Sequence, residues 1–106
     1  MRVERIKFER TGGFAGIRFA ADVEVDSLPD DQKREILELL DEMDFDELPA
    51  KLVRKMPIPD EFVYSVSVQT DKQEYSIMAG ESAIPDEMQP LIEILTSIAK
   101  KQARRS

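Results

Sequence analysis

Two stretches of strict alternation constrain this chain more than any other feature. In "IRFAADVEV", residues 17–25, Ile17, Phe19, Ala21, Val23 and Val25 share one side, while Arg18, Asp22 and Glu24 take the other. In "FVYSVSVQT", residues 62–70, Phe62, Tyr64, Val66 and Val68 alternate with Val63, Ser65, Ser67 and Gln69. A period of two belongs to strands covered on one face and wet on the other, as in an antiparallel sheet. Each stretch has a neighbour of the same kind. "VERIKFER" (3–10) sets Ile6 and Phe8 opposite charge, and "EYSIMA" (74–79) sets Tyr75 and Ile77 on one face. The glycine-rich segment 10–16 closes the first hairpin and "DKQ" (71–73) the second.

Each hairpin is followed by a helical pattern. In "SLPDDQKREILELLDEM", Leu28, Ile36, Leu37, Leu40 and Met43 recur at helical spacing. Pro29 suits a first turn, Asp30 and Asp31 suit its positive end, and Ser27 is a candidate cap, so a helix is expected near 29–43. In "IPDEMQPLIEILTSIAK", Met88, Leu91, Leu95 and Ile98 supply a second stripe. Between the two units, the stretch from Asp44 to Asp60 carries prolines at 49, 57 and 59; it reads as a connector with one short helical turn at Pro49–Lys55. Leu28-Pro29-Asp30-Asp31 and Ile84-Pro85-Asp86-Glu87 echo each other at an offset of 56 residues. Duplication and convergence of helix-start chemistry both explain the echo. The expected architecture is α+β: a four-stranded antiparallel sheet from two hairpins, with two helices packed on one face, in the order ββα-ββα. At 106 residues this is one domain, drawn as 1–99 with a basic tail at 100–106.

Composition removes several functions. There is no cysteine and no histidine, hence no thiol nucleophile, no thiolate or imidazole metal ligand, and no histidine general base. No cofactor and no metal is expected. The net charge of −7 disfavours nucleic acid and anionic membrane as partners. Four of the 15 basic residues, Lys100, Lys101, Arg104 and Arg105, lie in the tail, leaving 11 against 22 acidic ones. That tail reads as a solvated helix end, with a basic contact segment as the other reading. The N-terminus lacks the apolar run of a signal peptide, so the expected location is cytoplasmic and the expected state a monomer. No inward-facing carboxylate pair or deep cleft is suggested, and the chain reads as a non-enzyme.

The motif that stands out is "RTGGFAG", residues 10–16. Thr11 occupies the place of the first glycine of a dinucleotide fingerprint, no Lys-Ser or Lys-Thr pair follows, and a hairpin offers no helix N-terminus to a phosphate. What is left is a turn in which Gly12, Gly13 and Gly16 surround Phe14. Strand parity can aim that ring away from the core; an irregular loop can instead fold it back as a lid over the sheet end. The acidic run "DEMDFDELP" (41–49) lacks the glycine and distal glutamate of an EF-hand and reads as a solvated loop.

Several segments together carry a resemblance: Phe8-Glu-Arg-Thr-Gly-Gly-Phe-Ala-Gly16, Asp44-Phe45-Asp46-Glu47-Leu48-Pro49, Pro59-Asp60-Glu61-Phe62-Val63-Tyr64 and Pro90-Leu91-Ile92. Over about residues 6–95 the chain resembles the emfourin family, small cytoplasmic bacterial inhibitors of thermolysin-like, protealysin-type zinc metallopeptidases. The resemblance implies a metallopeptidase partner. It also implies that Arg10, Thr11, Gly12, Gly13, Phe14, Ala15 and Gly16 form the peptidase-binding segment, with Phe14 as the bulky apolar side chain that such peptidases prefer just after the scissile bond. One loop of this length covers less than the roughly 800 Å² per partner of a standard inhibitor interface. A second contact is therefore expected, either from the connector (Pro57, Pro59, Asp60, Glu61) or from the hairpin tip (Asp71, Lys72, Gln73). The competing class is a regulatory adaptor without a peptidase target, using a sheet edge or the acidic connector.

Overall fold

The computed structural model describes residues 2–12, 19–48, 51–52 and 61–105, with main chain only at 51–52 and 103–105. Strands β1 (Val3–Gly12), β2 (Phe19–Glu24), β3 (Lys51–Leu52), β4 (Phe62–Thr70) and β5 (Glu74–Gly80) form one sheet in the order β2-β1-β4-β5-β3. The four long strands are antiparallel neighbours. Helices α1 (Asp30–Glu42) and α2 (Gln89–Arg105) follow the two hairpins, giving the expected α+β fold.

Alternation decides which face is covered. Ile6 and Phe8 on β1, Ala21 and Val23 on β2, Tyr64, Val66 and Val68 on β4, and Ile77 and Ala79 on β5 are all buried. Most of them join Ile36 and Leu40 of α1 and Leu91, Leu95 and Ile98 of α2 in one apolar cluster, so both helices lie on the same face of the sheet. The Phe8 and Tyr64 rings stack with centroids 6.1 Å apart, a diagonal pair across the two central strands. The other face is polar. Arg5 bridges Glu24 at 2.8 Å and Asp22 at 3.3 Å, and the Ser67 and Ser76 hydroxyls share a 2.8 Å hydrogen bond.

Four local features depart from expectation. Val3 is buried although its odd number matches the outward residues Arg5 and Lys7; a register shift between Val3 and Arg5 moves it to the covered face. Ser27 does not cap α1. Its hydroxyl donates to the Glu24 carbonyl at 2.7 Å within the 3-10 turn Val25–Ser27, and Pro29 is the residue before the helix, without a side-chain cap. Phe45, inside the acidic run, is fully buried in the 3-10 turn Phe45–Glu47, which Asp44 enters with φ of 49°. A buried phenylalanine stabilises by about 3–5 kcal/mol relative to alanine, which outweighs the few tenths that nearby like charges cost. Finally, Lys51–Leu52 is not helical but pairs in parallel with Met78–Ala79 of β5. The open edge of β5 gives that connector main chain hydrogen-bonding partners, and these override a weak local helical preference. The remainder of the expected helical turn, at 49–50 and 53–55, lies outside the described residues.

Helix α2 runs on through the basic residues to Arg105. On the way, Gln102 reaches the free edge of β2. Its Oε1 accepts from the Asp22 amide and its Nε2 donates to the Asp22 carbonyl, each at 3.3 Å. One glutamine side chain thus does what a neighbouring strand residue would do. Among the described residues, no helix is long and apolar enough to cross a membrane.

Candidate functional site

The registers place the candidate segments at two opposite ends of the sheet. Gly12 faces Phe62 across β1 and β4, and Val63 faces Gly80 across β4 and β5. One end therefore gathers the stems of the glycine-rich segment, Gly12 and Phe19, with Glu61, Phe62 and the turn after β5. Val3 faces Thr70 at the other end, where Asp71, Lys72 and Gln73 close the second hairpin. The nine residues of β4 separate the two ends by about 27–30 Å at the usual rise per strand residue. Glu61 is thus beside the loop stems, and the 71–73 tip is remote from them. That tip is fastened by Thr70, whose hydroxyl donates to the Gln73 carbonyl at 2.9 Å and accepts from the amides of Lys72 and Gln73. Gly13, Phe14, Ala15, Gly16, Pro57, Pro59 and Asp60 lie outside the described residues.

At the loop end, Arg10 has the parity of Ile6 and Phe8 and so points to the covered face. A charge there needs compensation. Phe19, its partner across β1 and β2, and Phe62, at the start of β4, supply it: the guanidinium carbon lies 4.5 Å from the centroid of each ring. Cation–π contact of this kind contributes about 0.5–2 kcal/mol per ring, more as the site dries. The three side chains come from three strands and tie both ends of the 13–18 segment to β4. Nε of Arg10 is buried and has no hydrogen-bond partner among the described residues. Beyond the guanidinium, a shallow hollow of about 390 Å³ opens between the sheet and α2, lined by Arg10, Tyr64, Gln89, Glu93, Thr96 and Lys100 among others.

Gly12 and Glu61 form the second fixed point. Gly12 has φ of 89°, a conformation that side-chain-bearing residues adopt only with strain. Glu61, half-buried, turns its carboxylate to the 3-10 turn Glu81–Ala83: the Ser82 amide donates to it at 3.2 Å and the Ser82 hydroxyl at 2.9 Å. The same carboxylate lies where a Cβ on Gly80 would project. Glu61 thus locks the entry of β4 to the exit of β5.

The described residues fix the two stems of the 13–18 segment, Gly12 and Phe19, to the start of β4. Among the described residues, no group of three or more acidic side chains is placed to hold a metal ion. The sequence assigned Arg10 to the site and Lys100 to the basic tail, but not the ring partners of Arg10, nor Tyr64 and Glu93 beside it around the hollow. The available signal was a charged residue at a core-facing strand position. Compared with models of protein families, the chain matches the one described as Emfourin over residues 8–96. Comparison with curated proteins and with solved structures gives no match.

Proposed function

Since the chain belongs to the Emfourin family, a family of metallopeptidase inhibitors, we propose that it inhibits thermolysin-like zinc metallopeptidases of the protealysin type by occluding their active-site cleft. Residues 10–16 enter the cleft, with Phe14 in the apolar subsite beyond the scissile bond. The observation that carries this reading is the family match, which runs through the whole glycine-rich segment. The stem geometry supports it. Arg10, Phe19 and Phe62 hold the two ends of the segment together, and a loop with fixed ends loses less conformational entropy on binding.

The chain has no histidine and no cysteine to offer the catalytic zinc. Inhibition therefore works by steric exclusion, with at most an oxygen atom near the metal. The second contact is the Glu61 side of the molecule, because Glu61 is beside the stems while Asp71, Lys72 and Gln73 are at the far end of the sheet. The protein acts as a monomer in the cytoplasm and has no catalytic activity of its own.

The test is a peptidase assay with purified protein and a thermolysin-like enzyme. Equimolar inhibitor abolishes hydrolysis, and excess substrate restores it. Full activity in the presence of excess inhibitor contradicts the proposal.

A further inference from the structure

The hollow beside Arg10 is lined by charges of both signs. Arg10 and Lys100 stand against Glu93, a local excess of positive charge in a chain of net charge −7. Among the described residues, no carboxylate forms an ion pair with Arg10, and its buried Nε has no hydrogen-bond partner. The guanidinium carbon lies 4.5 Å from the centroids of both the Phe19 and the Phe62 rings. Its N–H donors lie in the plane of the fork. In-plane approach to a guanidinium is the geometry that a carboxylate matches with two parallel hydrogen bonds. Tyr64 and Thr96 line the same hollow, and each carries a hydroxyl, a group able to donate to a carboxylate oxygen.

We infer that this hollow is a subsite for a carboxylate side chain of the target peptidase, received by Arg10 and assisted by Lys100. The inference rests on the inhibitor reading above and adds to it a contact on α2, outside residues 10–16. Glu93 is the chain's own carboxylate at the rim, and it competes electrostatically with the incoming one. Lys101 follows Lys100 in sequence but does not line the hollow. It offers a control with the same change in net charge.

The experiment compares inhibition constants of the full chain and of Lys100→Gln, Lys101→Gln, Glu93→Gln and Arg10→Lys against one thermolysin-like peptidase at low and physiological salt. Lys100→Gln weakens inhibition by about 3- to 10-fold, an effect that shrinks as salt rises, and Lys101→Gln changes it less than about 2-fold. Glu93→Gln tightens inhibition. Arg10→Lys keeps the charge but loses the planar fork, and weakens inhibition by about 10-fold or more. Melting temperatures identify any variant that fails to fold; the Lys100, Lys101 and Glu93 positions are exposed, so their comparison stands without Arg10. Equal effects of Lys100→Gln and Lys101→Gln, or weaker inhibition by Glu93→Gln, overturn the subsite while leaving the inhibitor reading intact. If the unaltered chain does not inhibit, the inhibitor reading itself falls, and the subsite with it.

Discussion

Gly12 and Glu61 approach so closely that a Cβ on Gly12 would stand 2.9 Å from the Glu61 carbonyl oxygen, in a backbone conformation with φ of 89°. Both effects oppose a side chain, and neither neighbour is a flexible chain end that could swing aside. Gly12→Ala is expected to destabilise the fold by about 1–2 kcal/mol from backbone strain alone. The check is urea denaturation: a lower midpoint with an unchanged slope, because the same surface is exposed on unfolding. An unchanged midpoint would show that the stem relaxes at no cost.

The Glu61 carboxylate couples two strands through Ser82. Glu61→Ala removes hydrogen bonds to a charged acceptor, and about 1.5–3 kcal/mol per bond is an upper bound at a half-exposed site. Gly80→Ala is destabilising for a different reason: the new methyl group meets the same carboxylate. The two substitutions share one contact, so they should not add. Gly80→Ala costs less in the Glu61→Ala background than in the parent, by about 0.5 kcal/mol or more in a double-mutant cycle. Strict additivity would mean that Glu61 moves away without loss.

How much of this could be read from the sequence follows from how local each cause is. The four long strands were legible because one covered face imposes a period of two on residues such as Phe19, Ala21 and Val23. The helices were legible because Ile36, Leu40, Leu91 and Leu95 keep a 3.6-residue spacing. Val3 was not, since its burial depends on a register shift that only the pairing with Thr70 and Gln69 defines. Phe45 was hidden by its charged neighbours, and β3 exists because β5 has a free edge to offer. At the candidate site, the motif at 10–16 was visible, but the partners that hold its stems are not neighbours in sequence. Phe62 lies on another hairpin from Arg10, and Ser82 lies 21 residues from Glu61.

Gln102 covers the main chain of Asp22 at the edge of β2. Both bonds are long and solvent-exposed, so Gln102→Ala is expected to cost less than about 1 kcal/mol. The specific consequence is local: hydrogen exchange at the Asp22 amide accelerates, while amides of the central strands β1 and β4 keep their protection. Removing residues 102–106 should reproduce this effect and leave inhibition within assay error, because Lys100 is retained. Unchanged exchange at Asp22 would show that the glutamine contact does not persist in solution.

If Phe14 anchors a competitive peptidase inhibitor, Phe14→Ala separates binding from folding. An aromatic anchor at an interface loses about 2–4 kcal/mol on truncation to alanine, roughly 30- to 1,000-fold in affinity. A ring folded back over the sheet end would instead lose about 3–5 kcal/mol of folding stability. The measurement is the inhibition constant against a thermolysin-like metallopeptidase, taken beside the melting temperature of the same preparation. The inhibition constant should rise within that range at a nearly unchanged melting temperature, with residual inhibition still relieved by excess substrate. A strongly lowered melting temperature with an unchanged inhibition constant would contradict the anchor role of Phe14.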